Sequence, residues 1–180
     1  MSSQEARPDS GVTGATWTPT ASPPPLVIGG FHEVLQPLAS TMLLAVSACR
    51  ENHVFLKQVF RDTNWELREA RSYRDALMIL CTDRMPVVIC ESCLPDGNWK
   101  DILSQVAVLP DAPRLIVTSR EPDESLWAEV LNMGGYDVLT TPFENDEVIR
   151  SVSRAWQSWE EEWNRVNQRW RKPRVFSQSA

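Results

Sequence analysis

The amino-acid sequence predicts an α/β fold, a doubly wound sheet of five parallel strands, and two observations carry that prediction. From Thr41 onward, short apolar runs alternate with segments whose apolar residues recur at helical spacing, the pattern of repeated βα units around a parallel sheet. The chain of 180 residues also suffices for one core of ordinary size plus tails, and not comfortably for two. Right-handed crossovers would place helices on both faces of the sheet and functional groups at the carboxyl ends of the strands.

Taken in order, residues 1–25 are rich in Ser, Thr, Gly and Pro and end in Ser22-Pro23-Pro24-Pro25, with little to bury, so disorder is expected. Leu26 to Ser40 holds apolar residues interrupted by Gly29-Gly30 and Pro37, which suits a loosely packed lead-in; together residues 1–40 form an N-terminal segment. The five expected strands are Met42–Val46, Trp65–Ala70, Pro86–Cys90, Arg114–Thr118 and Tyr136–Leu139. The second carries Glu66, Arg68 and Glu69, which places it at an edge. Ser72 reads as the N-cap of a helix that turns Tyr73, Ala76, Leu77 and Leu80 to the sheet. A further helix opens near Pro122-Asp123, turns Leu126, Val130 and Leu131 inward, and stops at Gly134-Gly135, which can supply a left-handed end. The main domain is expected over residues 41–157, an extension of its last helix over 158–172, and a tail over 173–180.

Apolar residues make up 42% of the chain and charged residues 23%, so it should fold rather than stay disordered. The net charge of -6 argues against a nucleic-acid footprint over the whole protein and leaves room only for a local basic patch. The first residues show no basic stretch followed by an apolar run, and the longest apolar runs fall well short of a membrane span. A soluble cytoplasmic protein without membrane insertion is therefore expected. Cys49, Cys81, Cys90 and Cys93 then read as small buried hydrophobes rather than a disulfide framework.

Three stretches carry a family resemblance across Thr41 to Trp156. They are Val87-Val88-Ile89-Cys90-Glu91-Ser92-Cys93-Leu94-Pro95-Asp96-Gly97, Leu115-Ile116-Val117-Thr118-Ser119 and Asp137-Val138-Leu139-Thr140-Thr141-Pro142-Phe143. In order and spacing the chain resembles the response-regulator receiver family, whose flavodoxin-like fold matches the one expected above. The resemblance implies an acceptor aspartate, two acidic residues after the first strand that hold magnesium, a Thr or Ser that contacts the phosphoryl group, and a lysine before a proline. This sequence departs at each step but one. Ser47 and Ala48 stand in the acidic positions, Glu91 in the acceptor position and Thr141 in the lysine position, while Thr118 keeps the hydroxyl.

Magnesium needs hard oxygen ligands that include carboxylates, and phosphoryl transfer rests on positioning and electrostatic stabilisation. The chain is therefore expected to bind no metal or cofactor at this pocket and to be a pseudo-receiver without enzymatic activity. Glu91 admits two readings. Its extra methylene could carry the carboxylate toward the phosphoryl volume and mimic an activated state, or it could be a solvated carboxylate in a disused pocket. The aromatic switch position of the family corresponds to Val138, which removes one route for a phosphorylation-linked switch.

Other constellations are weaker. Cys90-Glu91-Ser92-Cys93 is a C-x-x-C that could mark a thiol oxidoreductase, but Pro95-Asp96-Gly97 separates it from the next helix. His32 and His53 are isolated from any pair that would complete a zinc site. No phosphate-binding glycine loop and no Ser-His-Asp set occurs.

The last helix continues about three turns past the family's usual end near Trp156. Ile149, Val152, Trp156, Trp159, Trp163, Val166 and Trp170 follow spacings of three and four, a heptad-like seam. Ile149 and Val152 are expected on the sheet. Trp159, Trp163 and Trp170 would lie beyond it as an apolar stripe for a partner or a second copy, or fold back on Leu26–Leu38. Arg165, Arg169, Arg171, Lys172 and Arg174 make the end basic. The expected function is that of a stand-alone, atypical receiver in two-component-type signalling, independent of phosphorylation and working by protein contact or dimerisation. The alternatives are a phosphorylatable receiver with unusual ligands in a phosphorelay, and a thiol oxidoreductase.

Overall fold

The computed structural model describes residues 41–109 and 111–171, with side chains described through Asn167. The expectations for residues 1–40, including His32 and the lead-in, for the side chains of Arg169, Trp170 and Arg171, and for Lys172, Arg174 and the tail lie outside the described residues.

The elements run β1 (Thr41–Val46), α1 (Arg50–Phe60), β2 (Trp65–Ala70), α2 (Tyr73–Thr82), β3 (Val87–Glu91), a small hairpin of β4 (Cys93–Leu94) and β5 (Gly97–Asn98), α3 (Trp99–Val106), β6 (Arg114–Ser119), α4 (Glu124–Met133), β7 (Asp137–Thr140) and α5 (Asn145–Arg171). The main sheet has five strands in the order β2-β1-β3-β6-β7, all parallel. All five expected strands are present, and β2 is an edge strand, as its charges require.

Period-two alternation divides the central strands between two cores. Leu43, Ala45, Val87, Ile89, Ile116 and Leu139 pack with Leu56, Val59 and Phe60 of α1 and Val148, Val152 and Ala155 of α5. Leu44, Val46, Val88, Cys90, Leu115, Val117 and Val138 pack with Ala76 of α2, Trp99, Ile102 and Val106 of α3, and Val130 of α4. Burial on both sides explains why these strands read as unbroken apolar runs. Among the described residues no helix is long and apolar enough to cross a membrane.

Helix ends follow the expected chemistry. The Ser72 hydroxyl accepts the Asp75 N–H at 3.1 Å, and Asp123 accepts the Leu126 N–H at 2.7 Å. Gly134 closes α4 at φ 97°, and the next N–H, from Gly135, reaches back to the Val130 carbonyl at 2.8 Å. On α2 the row against the core is Tyr73, Ala76, Ile79 and Leu80, with Leu77 half-buried beside it.

Two inward residues were misplaced by one position. Leu131 is 51% exposed, because Leu126 and Val130 centre the covered face of α4 and the next residue lies 100° round the helix. Ile149 is 36% exposed; the buried row of α5 is Val148, Val152, Ala155 and Trp159. A spacing of three or four backward from Val152 fits either residue 148 or 149, so the pattern alone did not separate them.

Trp159 is a third correction. It is only 8% exposed, and its indole N–H donates to the Asp111 carbonyl at 3.1 Å. Trp163 stacks on it at 6.0 Å, and the Arg84 guanidinium lies 3.3 Å from the Trp163 ring centroid while binding Asp111 at 2.5 Å. Arg114 donates to the Ser158 carbonyl and pairs with Glu162, both at 3.3 Å. Trp156 packs edge-on against Trp65 at 5.7 Å. Much of the tryptophan stripe is thus covered by the loops that precede β3 and β6.

Candidate functional site

The candidate site forms at the carboxyl ends of β1, β3, β6 and β7, where parallel strands of this topology open their loops. Ser47 follows β1 and is buried. Its hydroxyl donates to Glu91 Oε2 at 2.6 Å and accepts the Cys49 N–H at 3.0 Å and the Asn52 side-chain N–H at 3.1 Å. A hydroxyl has one proton and two lone pairs, so these three bonds use its full capacity. The glutamate at the end of β3 is therefore held by a neutral donor.

The remaining positions surround this pair. Thr118 is buried opposite Glu91 in the β3–β6 register, and its carbonyl accepts the Ser92 N–H at 2.8 Å. Ala48 is exposed at the rim. Thr141 accompanies Cys49, Glu51, Asn52, Arg120 and Pro142 around a cavity of about 350 Å³, and the Thr141–Pro142 peptide is cis. Val138 is fully packed in the core, where it can only act as a strand residue.

Three residues of this region were not singled out from the sequence. Asn52 fastens Ser47 from the first turn of α1. The Glu51 carboxyl accepts from the Cys49 thiol at 3.0 Å. That bond, then its own backbone N–H and the charges of Arg50 and Arg120, hold it below the usual carboxylate value against a smaller opposing effect of burial. Arg120 supplies a cation to the cavity that the missing lysine does not. These groups escaped notice because they lie outside the three stretches that carry the resemblance, on α1 and one residue past β6.

His53 is 3% exposed beneath the site. Its Nε2 lies 2.8 Å from the Ser47 carbonyl, which can only accept, so that nitrogen carries the proton. Its Nδ1 is buried without a hydrogen-bond partner among the described residues, 3.7 Å from a Glu69 oxygen; the other Glu69 oxygen pairs with Lys57 at 2.9 Å.

The thiol pair does not assemble. Cys90 and Cys93 are free; the first is fully buried in β3 and the second exposed in the hairpin. Burial, and then the neighbouring Glu91 charge, push the Cys90 thiol far up, which keeps it protonated and unreactive. The hairpin does have a structural task. Asp96 at its tip accepts the N–H groups of Tyr73 at 2.6 Å and Arg74 at 3.1 Å, capping α2 from a distant loop.

A five-stranded parallel sheet with this strand order, and a pocket of these positions at its carboxyl edge, defines a receiver-type module. The family model for the response regulator receiver domain matches residues 48–153, and the chain belongs to that family. Solved structures agree in fold. The signal receiver domain of an HD domain-containing protein from Pseudomonas fluorescens Pf-5 is 21% identical with a TM-score of 0.65, covering 78% of this chain and 99% of that one. The receiver domain of Francisella response regulator 1452 is 21% identical with a TM-score of 0.60, covering 66% and 98%. The chemotaxis response regulator CheY4 of Vibrio cholerae is 18% identical with a TM-score of 0.59, covering 64% and 98%. Comparison with curated protein sequences gave no match.

The family implies a divalent cation in this pocket, and the donor set does not fit one. Ser47 spends its proton on Glu91 and Ala48 has no donor atom. Among the described residues no group of three or more His, Cys, Asp or Glu side chains could hold a metal ion. A hard cation needs several oxygens with carboxylates among them.

Proposed function

We propose that this receiver domain works without phosphorylation, as a non-enzymatic protein-contact module of two-component-type signalling. The observation that carries the reading is the Ser47–Glu91 hydrogen bond at 2.6 Å. A serine proton neutralises part of the carboxylate demand that the family meets with a metal ion and a lysine. Without the metal clamp, and with Thr141 in the lysine position, the charge of a transferring phosphoryl group has no counterpart at Glu91. Output then rests on surface, and the extended α5 is the surface that departs most from an ordinary receiver.

Arg120 favours a second reading, a phosphorylatable receiver with unusual ligands, because it puts one cation beside the cavity. One experiment separates the two. Incubation of the full chain with acetyl phosphate and magnesium, followed by intact-mass measurement, should give no phosphoprotein. Appreciable labelling that a Glu91→Gln variant loses would establish the second reading.

A further inference from the structure

Beneath the pocket, the ring of His53 sits between the end of β1 and the edge strand β2. With its proton on Nε2, given to the Ser47 carbonyl, Nδ1 is a bare lone pair, buried and without a hydrogen-bond partner among the described residues. It faces a Glu69 oxygen at 3.7 Å, acceptor against acceptor and too far for a hydrogen bond. Alternation along β2 puts Glu69 on the same face as Trp65 and Leu67, which pack in the layer shared with α1 and α5. That layer is otherwise apolar, with Leu43, Ala45 and Ile89 from the sheet and Val148 and Val152 from α5. The charged groups about the ring are Glu69 and, one turn along α1, Lys57, which holds the other Glu69 oxygen at 2.9 Å. Glu91 stands behind Ser47, and Glu51 in the first turn of α1 is turned to the Cys49 thiol.

We propose that His53 is a proton-operated switch for the loop that carries Ser47; this rests on the reading of the Ser47–Glu91 pair as a pocket that works without phosphate. The proton comes from solvent and forms an N–H bond at Nδ1, which takes the ring from neutral to a single positive charge. Glu69, 32% exposed, connects the buried ring to water. Once protonated, Nδ1 donates to Glu69, and closing the gap to the length of a charge-assisted hydrogen bond takes a movement of about 1 Å. The exposed Lys57–Glu69 pair offers little resistance, since Lys57 is 56% exposed and follows the carboxylate. Two bonds carry that movement to the pocket. The ring itself holds the Ser47 carbonyl at 2.8 Å, and Ala70, the residue after Glu69, accepts the Ser47 N–H at 3.0 Å. Ser47 in turn gives its hydroxyl proton to Glu91. The same serine is thus fastened to the switch by its backbone and to the pocket by its side chain.

The test is long-range proton–nitrogen correlation of the imidazole groups in the ¹⁵N-labelled full chain, from about pH 8 to about pH 5, where histidine changes charge. His53→Gln assigns the signal. Wild type should show the Nε2–H tautomer at the upper end and a second proton on Nδ1 at the lower end, with the backbone amides of Ser47 and Cys49 moving in step. Glu69→Gln, which removes the carboxylate that receives the new N–H, should need at least about tenfold more protons to reach the same point. Lys57→Gln, which frees that carboxylate from its competing cation, should need fewer than wild type. A ring that stays neutral to about pH 5, a Glu69→Gln variant that follows wild type, or Ser47 and Cys49 amides indifferent to the ring would each overturn the proposal. Far-UV circular dichroism checks that each variant is folded; should Glu69→Gln fail that check, an unchanged response in Lys57→Gln overturns the proposal by itself. A neutral ring would leave the phosphorylation-independent reading standing, because acetyl phosphate labelling judges that separately.

Discussion

Replacing Trp159 by alanine tests whether the end of α5 belongs to the folded domain. The indole is 8% exposed, hydrogen-bonded to the Asp111 carbonyl and stacked on Trp163. An aromatic side chain of this size buries roughly 200 Å², which at ~25 cal/mol per Å² sets an upper figure of about 5 kcal/mol. Alanine keeps part of that burial, and the edge location lets neighbours close in and water reach the Asp111 carbonyl, so a loss of about 3 kcal/mol is expected. In urea a slope of ~1.5 kcal/mol per molar turns this into a midpoint about 2 M lower. Trp159→Phe keeps most of the ring and loses the N–H bond, for about 1 kcal/mol. Trp163→Ala, at a half-buried site, should fall near 1–1.5 kcal/mol. Equilibrium urea unfolding followed by circular dichroism gives all three. A Trp159→Ala loss below about 0.5 kcal/mol, or a larger loss for Trp163→Ala, would show that the extension does not pack as described.

Further perturbations probe the site and the helix ends. Ser47→Ala leaves the Glu91 carboxylate and the Asn52 and Cys49 donors without their shared partner, and thermal unfolding should show a loss of about 1–3 kcal/mol. Gly135→Ala would set its Cβ 2.5 Å from Val130 Cγ1 and 2.9 Å from the Val130 carbonyl oxygen, so chemical denaturation should show clear destabilisation, larger than for a typical surface change. Asp96→Asn should weaken the cap on α2 in a pH-dependent way. Burial opposes ionisation of Asp96, but the N–H groups of Arg74 and Tyr73 outweigh it and hold the carboxyl below its usual value. A lowered folded-state value means that the stabilisation is present above the unfolded-state value near ~3.9 and is lost as pH falls through the folded-state value. The stability gap between wild type and Asp96→Asn should therefore be full at neutral pH and close only below about pH 4; a gap independent of pH between 6 and 3 would contradict the capping role.

The strands were legible because parallel strands buried on both faces leave unbroken apolar runs, and Ser72, Asp123 and Gly134-Gly135 marked helix ends through their own side-chain and backbone chemistry. Which neighbour of a helical row is buried was not legible. Leu131 and Ile149 differ from Val130 and Val148 by 100° of rotation, and only the seating of the helix on the sheet decides that. The tryptophan stripe was read as a surface for a partner, a second copy or the chain's own lead-in, because the groups that cover it here are single polar residues distant in sequence, Arg84 and Asp111 in loops and Arg114 at the start of β6, which have no periodicity. At the site, the sequence marked Ser47, Glu91, Thr118 and Thr141 through the resemblance. It did not mark Asn52, Glu51 or Arg120, whose place at the pocket depends on how the first turn of α1 and the residue after β6 fold over it.

The central claim is that a carboxylate held by Ser47 offers no seat for a divalent cation. Magnesium titrated into the full chain, followed by backbone amide resonances of residues 47–52 and 91, tests this directly. The account predicts no saturable shift in the millimolar range where weak oxygen-ligand sites fill. Saturable binding centred on these residues and abolished in Glu91→Gln would contradict it.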